Sequence, residues 1–264
     1  MLKGAMHVHS TFSDGEFTLD ELRDIHQSEG CSFVCMNDHA EYFDQQSVQQ
    51  YAKELASRSD EKFCFVMGLE YECECRMHIL GYGASAVANT KDPQEVIRHI
   101  RAQHATAVIA HPKDEFFSWI PQFETLPDGI EGWNSKYDGR YAPRPGTFVL
   151  IQRLRQRSPN LHAFYGQDLH WKKQFRGLHV MIDSNEVKPA AILAAVAAGE
   201  FYGRKEELQL PSSGILPQEL LQKFGEEHAR SQRRFRFFKS GKAALDRLGI
   251  RVPARLKSQL RRIF

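Results

Sequence analysis

The sequence contains no hydrophobic stretch long enough to cross a membrane. A transmembrane helix needs about 20 consecutive apolar residues, and every apolar run here is interrupted sooner. The N-terminus also lacks a basic segment followed by an apolar stretch and a small-residue cleavage site, so we identify no secretory signal. The sequence therefore predicts a cytoplasmic protein without a transmembrane segment.

Cysteine is scarce, and its spacing indicates no disulfide framework. The chain has five cysteines, an odd number, and no two of them are arranged as C-x-x-C. Without a secretory signal, this pattern is typical of reduced thiols. Cys73 and Cys75 flank Glu74 and could suggest a thiolate metal site. Two cysteines without further partners more often fill space, which is what we expect of this pair.

Net charge is also small, but it is unevenly distributed. The whole chain carries a formal charge of +2. Residues 228–264 contain 12 Lys and Arg and a single acid, Asp246, so this segment carries +11 and the remaining residues carry −9. The sequence thus predicts an acidic body with a basic C-terminal tail.

The tail interleaves arginine with phenylalanine in "SQRRFRFFKSGK". Arginine neutralises phosphates and aromatic rings stack on bases, so single-stranded nucleic acid is one partner to consider. An anionic membrane surface would suit the same composition. The third interpretation is an amphipathic segment that docks on the acidic body with Phe235, Phe237 and Phe238 partly buried.

Strand, loop and helix signals alternate six or seven times along the chain. One helical pattern follows a capping Thr18 and stops at Gly30, another has Pro93 in its first turn, and a third ends near Gly199. This alternation predicts a parallel α/β fold, closed into a barrel at this length. The break in "LQLPSSGILPQ" predicts a barrel over residues 1–208 and a linker with a basic, helical extension over 209–264.

Polar side chains with metal-binding atoms stand where the predicted strands meet their loops. His7 and His9 are two apart on a strand and should therefore point to the same side. Functional residues of β/α barrels gather at the C-terminal ends of the strands. The other residues of this kind are Asp14, His39, Glu70, His78, His111, Asp168 and His170.

Histidine nitrogens and carboxylate oxygens together are typical ligands of Zn²⁺, Mn²⁺ and Fe²⁺. His78 is unusual among the candidates because it begins a strand, where a purely structural role is an alternative. Asp38 precedes His39 and could either orient a histidine or cap a helix. Trp133 and Asn134 could contact a substrate, although turn formation explains them equally well.

Taken together, six motifs resemble those of the polymerase and histidinol phosphatase (PHP) family of metal-dependent phosphoesterases. They are "HVHSTFSDG", "NDH", "GLEYE", "MHILGYG", "AHP" and "GQDLH", which occur in the order of that family and span roughly residues 5 to 203. The resemblance implies a distorted, seven-stranded (β/α)7 TIM-like barrel with two or three divalent metal ions.

The resemblance also implies which residues hold each metal ion. His7, His9, Glu70 and Asp168 would surround the first ion. Glu70 would bridge to a second ion with His78 and His111, and Asp14, His39 and His170 would hold a third. The expected reaction is attack on phosphorus by a metal-bound hydroxide. Glu70, Asp168 and His9 are the residues we expect to be catalytic.

The expected substrate is a phosphomonoester or nucleotide, with cleavage of short oligonucleotides as a close alternative. Only 32 residues separate His78 from His111, so the lid subdomain of some nucleotide-cleaving members is absent. Cations near the strand ends would bind the phosphate. The candidates are Lys113, Lys136, Arg140 and Lys172.

Two other classes of function fit parts of the pattern. An amidohydrolase also begins with H-x-H on a β/α barrel, but it usually relies on a bridging modified lysine or a late carboxylate, whereas the bridging candidate here is Glu70. A non-catalytic, metal-stabilised module that is tethered by its tail to nucleic acid or a membrane would instead bind in a salt-sensitive way without turnover.

Overall fold

A computed structural model describes residues 1–139 and 141–247, with side chains described as far as Arg233. The strands are β1 (Leu2–Val8), β2 (Phe33–Met36), β3 (Asp38–His39), β4 (Cys64–Val66), β5 (Gly68–Glu72), β6 (His78–Tyr82), β7 (Thr106–Ala110), β8 (Gly129–Asn134), β9 (His162–Gly166), β10 (His179–Ile182), β11 (Phe201–Lys205) and β12 (Leu208–Pro211). The α-helices are α1 (Leu19–Ser28), α2 (Gln45–Ser57), α3 (Pro93–Arg101), α4 (Pro145–Arg155), α5 (Pro189–Ala198) and α6 (Gln218–Arg247). Short 3-10 helices cover Ala40–Tyr42, Glu74–Arg76, Asp114–Phe117, Ile120–Gln122 and Lys172–Gln174.

Local sequence signals set the ends of several helices as predicted. Thr18 caps α1 through a capping box, in which its hydroxyl accepts from the Glu21 N–H and the Glu21 carboxylate accepts from the Thr18 N–H. Pro93 occupies the first turn of α3. Gly199 ends α5 with φ of 73°, a conformation that glycine adopts without steric cost.

The strands form two mixed sheets of six strands each. The first sheet has the order β12-β11-β10-β1-β2-β4, and the second has the order β3-β5-β6-β7-β8-β9. The fold is therefore α/β, as the sequence predicted. The prediction of parallel strands was wrong for part of each sheet, because β6 runs antiparallel to β5 and β7 and β10 runs antiparallel to β1. Only five residues join β5 to β6, too few for the crossover that a parallel pair requires.

The strand pairing among the described residues does not show the predicted closed barrel of seven strands. Asn37 interrupts the chain between β2 and β3, and Met67 interrupts it between β4 and β5. The ladder therefore passes from one sheet to the other at these two residues. On the opposite side β1 and β9 approach each other through an isolated parallel bridge between Val8 and Leu169.

The interior between sheets and helices is filled by large apolar side chains. Fully buried examples are Phe33, Tyr82, Ile109, Phe148 and Phe164. The Tyr82 and Phe164 rings stack with centroids 5.5 Å apart. This packing fixes the positions of the strand ends that carry the polar cluster described below.

The C-terminal part of the chain begins with β12, which pairs with β11 across the predicted boundary at residue 208. Helix α6 packs its first turns on α4, with Phe224 5% exposed and its ring 6.4 Å from that of Phe148. The division into two regions and the contacts of Phe235, Phe237 and Phe238 stay predictions, since those side chains lie outside the described residues. Within the described residues no helix is both long and apolar enough to cross a membrane.

Candidate metal centre

All nine residues predicted as metal ligands converge in one cluster at the end of the strands. His7 lies in β1, His39 ends β3, Glu70 lies in β5 and His78 begins β6. His9 and Asp14 follow β1, His111 follows β7, and Asp168 and His170 follow β9. The antiparallel direction of β6 explains how a residue that begins a strand joins residues that end others, because His78 pairs with both Glu72 and Ala110.

Glu70 lies at the centre of the cluster and is 1% exposed. One carboxylate oxygen, Oε1, is 2.9 Å from Nδ1 of His78 and 3.3 Å from Nε2 of His111. The other oxygen, Oε2, faces Nε2 of three further histidines. These distances are 3.3 Å to His7, 3.2 Å to His9 and 3.6 Å to His39. The two oxygens of one carboxylate therefore face two separate sets of histidines.

Asp168 provides a second buried carboxylate, and it also meets a lysine. Its Oδ1 is 3.0 Å from Nδ1 of His170 and accepts a hydrogen bond of 2.9 Å from Nζ of Lys136. Its Oδ2 is 3.7 Å from Nε2 of His111 and accepts from the Asn134 amide at 3.0 Å. Asp168 thus connects the histidines to a cation.

Asp14 is the most exposed of the carboxylates, with 39% of its side chain accessible. Its Oδ1 lies 3.3 Å from Nε2 of His170, 3.7 Å from Nε2 of His39 and 3.8 Å from Nδ1 of His9. These four residues form a separate group on the solvent side of the cluster.

Three sets of residues have the geometry to hold a metal ion, with one ligand atom from each residue within 4.8 Å of the others. They are His9, Asp14, His39 and His170; His7, His9 and Asp168; and His7, Glu70 and His111. The sets differ in part from those implied by the sequence. His9 joins the solvent-side group, His7 joins the group of His111, and Glu70 is absent from the set of His7, His9 and Asp168. His78 contacts Glu70 but belongs to none of the three sets. Among the described residues, no cysteine belongs to a set either.

His9 provides a direct indication that a cation belongs here. The residue is fully buried, yet neither of its ring nitrogens makes a hydrogen bond of good geometry, although Nε2 is 3.2 Å from Oε2 of Glu70. A buried polar atom without a partner costs about 1–3 kcal/mol. The two ring nitrogens of His9 face the carboxylates of Glu70 and Asp14. A divalent cation could be bound by histidine and carboxylate together at these places. The residues present therefore fit a metal ion.

Burial and charge set the protonation of the cluster. Burial lowers the pKa of His9 to about 4, so this ring is neutral at pH 7. Burial opposes ionisation of Glu70, but His7, His111 and His78 hold the pKa of this carboxyl well below its ordinary value. Glu70 is thus an ionised carboxylate and His9 a neutral imidazole at neutral pH, which are the forms that bind metal ions.

The pKa values of two other histidines are raised, whereas that of His9 is lowered. Burial lowers the pKa of His170, but Asp14 and Asp168 outweigh it and raise this pKa to about 9. Burial also lowers the pKa of His7, while Glu131, Glu70 and Asp168 together raise it well above its ordinary value. When no metal ion is bound, the negative charge of the carboxylates favours the protonated form of these two rings.

The sequence analysis missed Glu131, a buried carboxylate of β8 that is 1% exposed. Its Oε1 accepts a hydrogen bond of 2.9 Å from Nδ1 of His7. Its Oε2 accepts from the His111 N–H and from the Asn134 amide, both at 2.8 Å. The available signal was an acidic residue within the otherwise apolar strand "GIEGW", since a buried charge needs partners.

For Asn134, the sequence left open whether the residue contacts a substrate or forms a turn. Its amide joins Glu131 to Asp168, so it supports the cluster from behind. Trp133 is fully buried and donates from Nε1 to the Gly139 carbonyl, which is a structural role.

Three residues of the cluster have a backbone conformation that is rare for residues other than glycine. The φ angles are 59° for His7, 27° for His111 and 51° for Asp168. His7 also lies at a register shift in the pairing of β1 with β2. The same-side placement of His7 and His9 therefore comes from an irregular strand end, whereas the sequence reasoning assumed regular alternation. Such strain persists where the surrounding structure enforces it.

Asp38 holds the loop that carries Asp14. Its carboxylate accepts from the Ser10 N–H at 2.8 Å, from the Ser13 hydroxyl at 2.5 Å and from the Tyr51 hydroxyl at 2.6 Å. It therefore neither orients a histidine nor caps a helix, the two roles considered from the sequence.

The four cations predicted to bind phosphate differ in position. Lys136 reaches Asp168. Lys113 lies 3.6 Å from Glu115, and Lys172 donates to Glu21, so both pair with acids outside the cluster. Arg140 lies outside the described residues. A substrate-binding role for all four residues stays a prediction.

Comparisons with known proteins agree with this architecture. No protein-family model matches the chain. The DNA polymerase/3'-5' exonuclease PolX of Bacillus subtilis (strain 168) is 29% identical over 79 residues. That match covers 27% of this chain and only 14% of the length of the polymerase.

Among solved structures, a two-domain protein from Bacteroides vulgatus that contains a predicted PHP-like metal-dependent phosphoesterase superposes with a TM-score of 0.56. It is 18% identical, and the match covers 85% of this chain and 69% of that one. An amidohydrolase from Chromobacterium violaceum with bound sulfate gives 0.49 at 16% identity, covering 64% of this chain and 88% of that one, which is too low to establish a shared fold. The chain therefore has the fold of PHP-like metal-dependent phosphoesterases, as the resemblance of its motifs implied.

Proposed function

We propose that this protein is a metal-dependent hydrolase of phosphate esters. The observation that carries the proposal is the position of Glu70, whose two oxygens face separate sets of histidines. A carboxylate in this position is suited to join two cations. Metal ions a few ångströms apart are typical of enzymes that transfer or hydrolyse phosphoryl groups.

In this proposal the three sets described above would hold the ions. Glu70 belongs to one set and also faces histidines of the others, and His78 contacts Glu70. The seven-stranded barrel remains part of the proposal. Asn37 alone separates β2 from β3, and Met67 alone separates β4 from β5, so each pair is counted as one interrupted strand. Bound divalent ions would neutralise phosphate oxygens and lower the pKa of water.

The remaining tasks fall to side chains of the chain itself. Burial opposes the charge of Lys136, but Asp168 raises the pKa of its ammonium group, which stays protonated at neutral pH. The Lys136 side chain is 18% exposed, so its ammonium group is placed to meet a phosphate oxygen at the edge of the cluster. Asp168 fixes the position of the ammonium group and of the His170 ring.

Positioning of the histidines is the task of Glu131. By accepting a hydrogen bond from Nδ1 of His7, this carboxylate orients the ring so that Nε2, the nitrogen that would bind a cation, faces Glu70. Because His7, His9, Glu70 and Asp168 are all buried, water is excluded from behind them, and their charges act in a medium of low polarity.

The test compares two variants of neighbouring glutamates on β5. Glu70→Gln keeps the shape of the side chain but removes the charge, and it should lower kcat/KM for an aryl phosphate about 100-fold or more and reduce the bound metal. Glu72→Gln is the matched control, because Glu72 pairs with Lys91 at the surface and should leave both quantities unchanged. Purified protein would be analysed for metal before assay with Mn²⁺ and Zn²⁺.

Three results would contradict the proposal or part of it. Glu70→Gln with a near-normal rate and full metal content would refute the bridging role. Hydrolysis of aryl amides or carboxylic esters in the absence of phosphate-ester turnover would assign the site to an amidohydrolase reaction. A protein that holds metal and hydrolyses no ester or amide would be a binding module.

A further inference from the structure

Exposed aromatic side chains surround the opening of the metal centre. The exposed fraction is 59% for Tyr42, 59% for Tyr137 and 47% for Trp171. Large rings are among the most favourable groups to bury, so a folded protein has little reason to leave several of them in water at one place.

Each ring contacts a different histidine of the centre. Ring centroids lie 6.4 Å apart for Tyr42 and His39, 4.6 Å for Tyr137 and His111, and 5.6 Å for Trp171 and His170. The aromatic side chains therefore belong to the surroundings of the metal centre. A substrate group held at these histidines would therefore lie close to the rings.

Lys136 links two of the rings to the place where a phosphate would bind. Its Nζ lies 5.1 Å from the ring centroid of Tyr137 and 5.4 Å from that of Trp171. The same atom is 2.9 Å from Oδ1 of Asp168. A phosphate oxygen on this ammonium group would consequently place the organic part of the ester within reach of both rings.

We propose that Tyr137 and Trp171 bind an aromatic or heteroaromatic group of the substrate, so that the protein hydrolyses aromatic phosphate esters in preference to aliphatic ones. This inference rests on the proposed function. Stacking between a substrate ring and an aromatic side chain supplies attraction that a saturated group of the same size does not obtain. Lys136 would hold the phosphate while the two rings select the group that it esterifies.

The first test compares benzyl phosphate with cyclohexylmethyl phosphate. Both esters release a primary alcohol, so they differ mainly in the aromatic character of the ring. Removal of one stacking contact should lower the benzyl-to-cyclohexylmethyl ratio of kcat/KM about 3- to 10-fold in Tyr137→Leu and in Trp171→Leu. Tyr202→Leu is the control, since Tyr202 contacts Met1 at the opposite end of β1, and it should leave the ratio unchanged.

A second measurement needs no turnover. Trp171 is exposed, whereas Trp133 is fully buried and Trp119 is partly buried against the core, so a nitroaromatic ligand at the opening should quench mainly the fluorescence of Trp171. We expect 4-nitrobenzylphosphonate to quench the metal-loaded protein in a saturable way and cyclohexylmethylphosphonate to leave the signal unchanged. The quenching should disappear in Trp171→Leu and weaken in Tyr137→Leu.

The two measurements separate this inference from the proposed function. Saturable quenching by the phosphonate without hydrolysis of any phosphate ester would retain the aromatic subsite and overturn the hydrolase. Equal kcat/KM for the two esters, with the same ratio in all variants and no quenching, would retain the hydrolase and overturn the subsite. A ratio that falls equally in Tyr202→Leu would also overturn it.

Discussion

Replacement of Glu131 by glutamine provides a sensitive test of the reasoning about the metal centre. This carboxylate is 1% exposed and accepts three hydrogen bonds, from Nδ1 of His7, the backbone N–H of His111 and the amide of Asn134. None of these partners is a metal ion, so any effect on metal binding has to act through the position and protonation of His7 and His111 or, by way of Asn134, through Asp168.

A glutamine cannot satisfy the three donors at once. If its oxygen accepts from Nδ1 of His7, its NH₂ group faces the donors of His111 and Asn134. If the amide is flipped, the NH₂ group faces Nδ1 of His7, and the ring proton moves to Nε2, the nitrogen that faces Glu70. In the first orientation buried donors lose their partner, at about 1–3 kcal/mol each. In the second, the ligand atom of His7 is blocked.

We therefore expect Glu131→Gln to lower the affinity for the most weakly held divalent ion by about 10- to 100-fold. The free energy of unfolding should fall by about 1–3 kcal/mol at the same time. Competition with a chelator of known affinity would measure the first quantity, and urea denaturation of the metal-free protein the second. Glu115→Gln is a suitable control, because the Glu115 carboxylate is 66% exposed.

The refuting result is specific. If Glu131→Gln binds metal with the affinity of the unsubstituted protein while it remains folded, then His7 is not oriented by Glu131. The description of how the chain builds this site would then be incorrect. A loss of stability with unchanged metal affinity would leave Glu131 as a purely structural residue.

Two further predictions concern residues that are not themselves ligands. A Cβ atom on Gly166 would lie 1.8 Å from Oε1 of Glu131 and 2.9 Å from Cβ of His7, so Gly166→Ala should lower both metal affinity and the free energy of unfolding, the latter by about 1–3 kcal/mol. Gly132→Ala, where the nearest atoms are 3.4 Å away, is the control on β8, and equal effects of the two variants in chelator competition and urea denaturation would contradict the steric argument. Burial, aided by the charge of Lys3, lowers the pKa of His179 to about 3. Below pH 6.5 the unfolded chain therefore binds a proton that the folded chain excludes, and the free energy of unfolding decreases as the pH is lowered. At pH 5 this loss of stability is about 2 kcal/mol. Urea denaturation at pH 6.5 and at pH 5 should show a smaller loss in His179→Gln but not in His104→Asn. An unchanged pH dependence of the free energy of unfolding in His179→Gln would refute the assignment.

Much of the local structure follows from short-range chemistry in the sequence. The capping box at Thr18 and Glu21, the proline that begins α3 and the glycine that ends α5 act within a few residues, so their outcome does not depend on the rest of the molecule. Metal-binding residue types placed next to predicted strand ends likewise indicated a metal site, because strand ends of α/β folds converge.

The breaks at Asn37 and Met67 were not recoverable in the same way, and the direction of β6 was recoverable only from the short link to β5, not from the pattern of the strand. An apolar strand has the same pattern whether its neighbour runs parallel or antiparallel, and a one-residue interruption leaves no signal in composition. Consequently the sequence predicted one closed parallel barrel, whereas the strand pairing consists of two mixed six-stranded sheets.

The sequence by itself determined the class of site, since the chemistry of histidine and carboxylate is independent of their surroundings. Tertiary structure alone decided how these groups work together: which oxygen of Glu70 faces which histidine, that Glu131 holds His7, and that Lys136 lies between Asp168 and two exposed rings. Those relations join residues that are between 8 and 124 positions apart along the chain or share one short loop. Their distances are set by the packing of whole strands, which no local pattern encodes.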